Sequence, residues 1–161
     1  LWWVVLSEQI DPEVTVEEFL VSIRPRLERA LVARYGVDDG REATSESIAY
    51  AVEHWDRLST MTNPAGYLFR VGQSYGSRLS SRWRRSRLLV EHPATSDSLF
   101  DADLQAALMK LKPNERVAIV LVHSHGHSYA EVAEVLDVPT TTVSNHLNRG
   151  LSRLRKLLES S

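Results

Sequence analysis

The sequence contains no cysteine among its 161 residues. This absence excludes disulfide scaffolds, thiolate zinc sites and cysteine nucleophiles, and it fits a reducing cytoplasm. With 43% hydrophobic and 25% charged residues, the composition is that of a globular protein, which excludes extensive disorder and fibrous structure. The length is sufficient for one medium-sized domain or two small ones. We expect a cytoplasmic protein.

Long hydrophobic runs are also lacking. The opening segment Leu-Trp-Trp-Val-Val-Leu has six apolar residues, no basic region before it and polar residues after it. A membrane-spanning helix needs about 20 apolar residues, and a signal peptide begins with a basic region. The segment therefore predicts neither, and we expect no membrane contact.

Motifs typical of enzymes are missing as well. The seven glycines are scattered and form no phosphate-binding loop, and no Gly-x-Ser-x-Gly elbow places a serine nucleophile. His123, His125 and His127 alternate at the end of a predicted helix, where their side chains diverge. We interpret them as part of a solvated turn. The sequence predicts a protein without enzymatic activity, cofactor or metal.

Acidic residues are absent from Met61 to Val90, a stretch that contains six arginines. From Thr140 to the end of the chain there are four basic residues and a single acidic one, Glu159. The net charge of −2 therefore conceals two basic segments in an otherwise acidic chain. This distribution predicts two separate surfaces that bind anions, with the acidic remainder available to a basic partner.

The residues from Ser128 to Pro139 have the pattern of the first helix and turn of a helix-turn-helix. Ser128 and Glu131 form a capping box, which predicts a helix start. Val132 and Leu136 fall on one apolar stripe of that helix. Asp137 tolerates left-handed backbone and Pro139 cannot continue the helix, so we expect a sharp turn.

The second helix of this motif has the features of a recognition helix. Thr140, Thr141 or Thr142 is expected to cap it, and an apolar seam follows at helical spacing: Val143, Leu147, Leu151, Leu154 and Leu158. The opposite face is polar: Thr140, Thr142, Ser144, Asn145, His146, Asn148, Arg149, Arg153 and Lys156. Amides and hydroxyls followed by guanidinium groups suit the major groove of duplex DNA. The alternative is an antiparallel helical pair inside an all-α bundle, with a solvated polar face.

Two helices are predicted in the first part of the chain. Glu17–Tyr35 has helical periodicity, and Pro25 should either bend this helix or split it. Arg41–Leu58 forms the second helix, preceded by a turn signal at Asp38–Gly40.

A third helix should start at Asn63-Pro64, with asparagine as the cap and proline in the first turn. It continues through Trp83 with aromatic residues interleaved among arginines. This chemistry suits unpaired bases, which need an aromatic surface and neutralised phosphates together. The alternative is that Tyr75 and Trp83 are half-buried packing residues and the arginines form a solvated face.

The stretch from Leu88 to Asp101 loses this periodicity and is rich in small polar residues, which predicts a linker. Helices follow at Ala102–Leu111 and Asn114–His123. We therefore expect an all-α protein of two small helical domains joined by a flexible linker. The predicted divisions are an N-terminal segment (1–14), a first domain (15–87), the linker (88–101) and a helix-turn-helix domain (102–161).

About residues 102–158 closely resemble region 4 of bacterial extracytoplasmic-function (ECF) sigma factors of the sigma-70 family. The motifs are Leu104-Gln-Ala-Ala-Leu, Leu111-Lys-Pro-Asn-Glu-Arg116, Ser128-Tyr-Ala-Glu-Val-Ala, Thr142-Val143 and Leu147-Asn-Arg149 leading into Leu154-Arg155. Residues Phe19 to Arg85 resemble region 2 of the same family through Trp55-Asp56, Asn63-Pro64 and Tyr67-Leu68-Phe69-Arg70-Val71.

This region 2 is atypical. The family usually has an acid and a glutamine in its polymerase-binding helix, where this chain has Ser45 and Ile48. In the promoter-opening helix the family commonly has Asn and Asp at the positions that are Ser74 and Arg78 in this chain. An arginine in place of an acid should strengthen phosphate attraction and alter base preference.

The resemblance implies a transcription initiation factor that directs RNA polymerase core to promoters. Residues 128–156 would recognise the −35 element as duplex, and residues 63–87 the −10 element with its unpaired strand. The implied −10 residues are Arg70, Gln73, Ser74, Tyr75, Arg78, Arg82, Trp83, Arg84 and Arg85, and the implied polymerase-binding residues are Ser45, Ile48, Ala49, Val52 and Trp55. The implied partners are the clamp of the beta′ subunit, the flap of the beta subunit, promoter DNA and an anti-sigma factor.

Two other functions fit the same residues. One is a helix-turn-helix regulator that binds duplex DNA without polymerase, usually as a dimer on paired half-sites. The other is a degenerate sigma-like protein that does not itself open promoters.

Overall fold

A computed structural model of the protein describes residues 11–87 and 102–160, with side chains described through Leu79 in the first range. These residues form helices and no strand, which confirms the all-α prediction. The helices are α1 (Val16–Tyr35), α2 (Val37–Glu53), α3 (Trp55–Leu58), α4 (Pro64–Arg87), α5 (Ala102–Met109), α6 (Pro113–Ile119) continued by a π-helical turn (Val120–Ser124), α7 (Tyr129–Leu136) and α8 (Thr140–Glu159). None of the helices in these ranges is long and apolar enough to cross a membrane. The predicted linker, 88–101, and most of the N-terminal segment lie outside the described residues.

Two helices begin at the predicted capping signals. Ser128 Oγ accepts the Glu131 amide at 3.2 Å, and the Glu131 carboxylate accepts the Ser128 amide at 2.8 Å. At the start of α4, Asn63 Oδ1 accepts the Gly66 amide at 2.9 Å. Each cap satisfies an amide that would otherwise lack a partner, which stabilises a helix by about 1 kcal/mol.

The helix-turn-helix turns as predicted, but α8 begins differently. Asp137 adopts the left-handed conformation, with φ 54°. The prediction that a threonine caps α8 is wrong, because its N-cap is Pro139 and no side chain bonds to the first amides. The Pro139 carbonyl accepts the Thr142 amide at 2.9 Å, so the three threonines already lie within the first helical turn.

Helices α1 and α2 differ from the prediction at their junction. Pro25 lies inside α1 without splitting it. The expected turn at Asp38–Gly40 is wrong, since these residues belong to α2 and the chain turns at Gly36, with φ 93°. A Cβ on Gly40 would lie 2.5 Å from Val32 Cα. Glycine at this position therefore allows α1 and α2 to cross closely, a requirement that only the folded structure reveals.

The core joins the two halves of the chain. Helices α1, α2 and α4 pack mainly on one another, and α8 packs against α5, α6 and α7. Buried apolar residues from both halves form one continuous cluster. On α8, Val143, Leu147 and Leu154 are buried as predicted. Leu158 is 41% exposed, contrary to the prediction, because Leu157 packs against the core in the last turn instead.

Candidate nucleic-acid interface

Helix α8 presents most of the residues predicted to contact duplex DNA on its accessible side. Thr140, Asn145, Asn148 and Arg149 are exposed, and Thr142, Ser144 and His146 are half-buried. The helix crosses closely over α6, since a Cβ on Gly150 would lie 2.7 Å from Ile119 Cδ1. This close contact buries the apolar seam of α8 and leaves its polar face accessible, as docking in a groove requires.

Arg153 belongs to the predicted set but also has a partner inside the protein. Its Nη1 lies 2.8 Å from both carboxylate oxygens of Glu115, a residue of α6. The Glu115 side chain is 3% exposed and that of Arg153 is 45% exposed. Arg153 therefore neutralises a buried carboxylate, and its predicted contact with DNA stays a prediction. The sequence offered one overlooked signal, an acidic residue just before the apolar run of α6.

Helix α4 carries the residues predicted to contact unpaired DNA. Arg70, Ser74 and Arg78 are exposed, whereas Gln73 and Tyr75 are half-buried. Positions 70, 74 and 78 are four residues apart and so lie on one face of the helix. Arg82, Trp83, Arg84 and Arg85 belong to α4, but their side chains lie outside the described part of the structure.

A second aromatic and basic cluster beside α4 was not predicted. The hydroxyls of Tyr50 and Tyr67 are 3.2 Å apart, and His54 stacks on Tyr50 with centroids 4.1 Å apart. The hydrogen bond to Tyr67 raises the pKa of Tyr50, and burial raises it further. Arg57 and Arg70 lie over the Tyr67 ring, at 5.7 and 6.0 Å from its centroid. The cluster joins residues from three helices, so no local sequence pattern reveals it.

The five predicted polymerase-binding residues divide into two groups. Ser45, Ala49 and Val52 are exposed and Ile48 is half-buried, at positions that share one side of α2. Val52 is 56% exposed, so this side of α2 includes an accessible apolar side chain. Trp55 instead packs on Phe19, with ring centroids 5.2 Å apart.

Arg116 connects the two halves of the chain. Its Nε donates to the Ala33 carbonyl at 2.7 Å and its Nη2 to the Arg34 carbonyl at 3.0 Å, both in the last turn of α1. Its Nη1 faces carbonyls in the last turn of α5 and just after it, including that of Leu111 at 3.3 Å. Burial lowers the pKa of Arg116, and the nearby charge of Arg34 lowers it further. The guanidinium thus satisfies helix-end carbonyls from both halves at once.

The first helix of the helix-turn-helix packs against α4. Asn63 Nδ2 donates to the Glu134 carbonyl at 2.8 Å and to Asp137 Oδ1 at 3.2 Å. Arg70 Nη2 lies 3.4 Å from Asp137 Oδ2, and Arg26 lies 3.3 Å from the Glu134 carboxylate. The turn after α7 therefore forms an ion pair, through Asp137, with Arg70, one of the cations predicted to contact DNA.

His127 extends this contact to α1. Arg29 Nη1 lies 3.0 Å from His127 Nε2, and His127 Nδ1 lies 3.4 Å from Glu131 Oε2. Its side chain is 12% exposed, so the interpretation of a solvated turn is wrong for His127, although His123 is exposed. Among the described residues, no group of histidine and acidic side chains has an arrangement that fits a metal ion.

Comparisons with known proteins point to one family. Residues 101–154 match the family described as Sigma-70, region 4. The ECF RNA polymerase sigma factor SigE of Mycolicibacterium smegmatis is 45% identical over 62 residues, which are 38% of this chain and 24% of that protein. The ECF RNA polymerase sigma factor EcfG of Rhodopseudomonas palustris is 25% identical over 130 residues, 75% of this chain and 72% of the relative. The RNA polymerase sigma-E factor of Streptomyces avermitilis is 29% identical over 133 residues, 76% of this chain and 72% of the relative.

Two solved structures share the fold. The sigma factor RpoE from Bartonella quintana, in complex with the anti-sigma factor NepR, superposes with a TM-score of 0.59 at 23% identity, covering 89% of this chain and 96% of that chain. CnrH, in complex with the cytosolic domain of CnrY, gives a TM-score of 0.58 at 20% identity, covering 91% and 88%.

Proposed function

We propose that this chain, whose residues 101–154 match Sigma-70, region 4 and which is similar to ECF sigma factors over about three quarters of its length, is a transcription initiation factor. It has no enzymatic activity of its own and acts by directing RNA polymerase core to promoters. The observation that carries this proposal is the accessible polar face of α8 on a helix-turn-helix that matches region 4.

Recognition of the −35 element is assigned to α8. Asn145 and Asn148 offer amides that pair with adenine edges, and Arg149 offers a fork for guanine or phosphate. All three side chains are exposed in the described structure. Replacing Arg149 with alanine should weaken −35 binding and leave binding to core polymerase unchanged.

Recognition of the −10 element is assigned to α4. Its exposed arginines neutralise phosphates, and Tyr75 with Trp83 provides aromatic surface for unpaired bases. Trp83→Ala should reduce promoter opening more than formation of the closed complex. Equal losses in both would argue against contact with the single strand.

Three protein partners are included in the proposal. The exposed side of α2, with Ser45, Ala49 and Val52, docks on the clamp of the beta′ subunit, while the region 4 domain contacts the flap of the beta subunit. RpoE and CnrH were solved with the anti-sigma factor NepR and the cytosolic domain of CnrY, respectively, and share this fold. An anti-sigma factor is therefore a third proposed partner.

Simultaneous contact with both elements requires the two halves to separate. Elements about 25 base pairs apart span roughly 85 Å at about 3.4 Å per base pair. A compact chain of this length has a radius of gyration of about 15 Å, and so a diameter near 40 Å. The contacts of Arg116 and Asn63 between the halves must break, and the predicted linker, at up to about 3.5 Å per residue, provides the reach.

Run-off transcription with purified core polymerase tests the proposal. A sigma factor makes transcription depend on both the added chain and an intact promoter. A helix-turn-helix regulator binds duplex DNA without polymerase and initiates nothing, and a degenerate sigma-like protein binds polymerase but gives no transcript.

A further inference from the structure

Arg78 is held against Tyr75 on the accessible face of α4. Its Cζ lies 4.6 Å from the Tyr75 ring centroid, whereas the other cations above aromatic rings in the described residues lie at 5.5–6.0 Å. Its Nε donates to the Ser74 carbonyl at 3.3 Å. Tyr75 is itself half-buried against the core. The Tyr75 ring and the Ser74 carbonyl therefore restrict the motion of the Arg78 guanidinium from two sides.

The position of Arg78 leaves its outer edge available. Arg70, two turns earlier on the same helix, is engaged by Asp137 of the helix-turn-helix. Arg78 lies about 12 Å further along the helix and forms no ion pair with any described residue. It is exposed even while the two halves are packed together.

A restricted guanidinium has a different chemistry from a mobile one. A mobile cation pairs with any phosphate, whereas a planar fork of fixed direction matches two acceptors spaced like guanine O6 and N7. Adenine presents N7 beside an amino donor, which opposes one arm of the fork. Unpaired strands expose these base edges fully and also stack on aromatic and guanidinium planes.

We infer that Arg78, positioned by Tyr75 and the Ser74 carbonyl, selects guanine in the unpaired DNA strand bound along α4. This inference rests on the proposed function and names the base that the −10 surface prefers. Helix α4 carries five other arginines that supply positive charge, so we expect Arg78 to contribute specificity rather than bulk affinity.

The test uses the full chain without polymerase, because Arg78 is accessible in the packed form. Fluorescence anisotropy would compare labelled 12-nucleotide single strands of thymine containing one guanine, one adenine or neither. The guanine strand should bind roughly 5- to 150-fold more tightly than the other two. Arg78→Lys keeps the charge but loses the fork, so it should reduce this preference below about twofold and leave affinity for the thymine strand nearly unchanged.

Arg70→Lys is the matched control, since it changes another arginine on the same face of α4. It should change the affinity for the three strands by the same factor and so leave the guanine preference intact. Equal binding of the three strands by the unchanged chain, or binding to none, overturns the inference. An equal loss of affinity for all three strands in Arg78→Lys also overturns it, because Arg78 would then act only as a phosphate contact. Run-off transcription separates this outcome from failure of the proposed function, because polymerase-dependent initiation does not require a guanine preference.

Discussion

Replacing Arg153 with alanine is expected to destabilise the protein, although the residue lies on the predicted DNA-binding helix. The substitution removes the cation 2.8 Å from both oxygens of Glu115 and leaves that buried carboxylate unpaired. Exposed ion pairs contribute about 0–1 kcal/mol, and breaking a buried one costs about 3–5 kcal/mol. Because Arg153 is half exposed and Glu115 is buried, we expect a loss of about 2 kcal/mol.

Thermal unfolding followed by circular dichroism measures this loss. At this chain length, about 2 kcal/mol lowers the unfolding temperature by roughly 4–8 °C. Arg149→Ala is the matched control, since Arg149 is exposed on the same helix and its removal should change stability by less than about 0.5 kcal/mol. An unchanged unfolding temperature in Arg153→Ala, together with lost binding to a −35 duplex, would refute the structural role of Arg153.

Two further predictions concern the contact between the halves and its surroundings. Asn63→Asp keeps the cap of α4 but places a carboxylate against the Glu134 carbonyl and Asp137, at a cost of about 1–3 kcal/mol. Because this substitution weakens the contact between the halves, the Asn63→Asp variant should have a larger radius of gyration in X-ray scattering than the unchanged chain. An identical radius would contradict the assigned contact. Burial, with the charges of Arg29 and His127, lowers the pKa of His125, so the unfolded chain binds this proton at higher pH than the folded chain. Stability should therefore fall as pH decreases through about 6.5, the value of an unfolded histidine. Urea unfolding at pH 7.5 and 5.5 measures the change in the free energy of unfolding between these pH values. This change should be smaller in His125→Gln than in the unchanged chain, and an equal change would exclude His125 as a cause of the pH dependence.

Local signals predicted much of the fold. The Ser128–Glu131 capping box, the Asn63-Pro64 start and the left-handed Asp137 depend on a few adjacent residues, so they can be read without knowing the packing. The α8 seam followed from helical periodicity for the same reason, and it failed only at Leu158, in the last turn.

Features that depend on packing were not predictable. Gly40 looked like part of a turn because its contact with Val32 arises only when α1 crosses α2. Arg116 reaches the end of α1 across 83 residues of sequence, and Glu115 meets Arg153 across 38. The same holds for the candidate site. The exposed face of α8 could be predicted from residue spacing, whereas the Tyr50–Tyr67 cluster and the ion pair between Arg70 and Asp137 could not.

The most direct measurement of the proposed role is transcription by purified core polymerase on a library of randomised promoters, with and without this chain. We predict transcripts only when the chain is present, from templates that share two sequence elements about 25 base pairs apart. Arg149→Ala should relax selection at the upstream element alone. No transcripts above those of core polymerase, or selection of paired half-sites bound without polymerase, would contradict the assignment as an initiation factor.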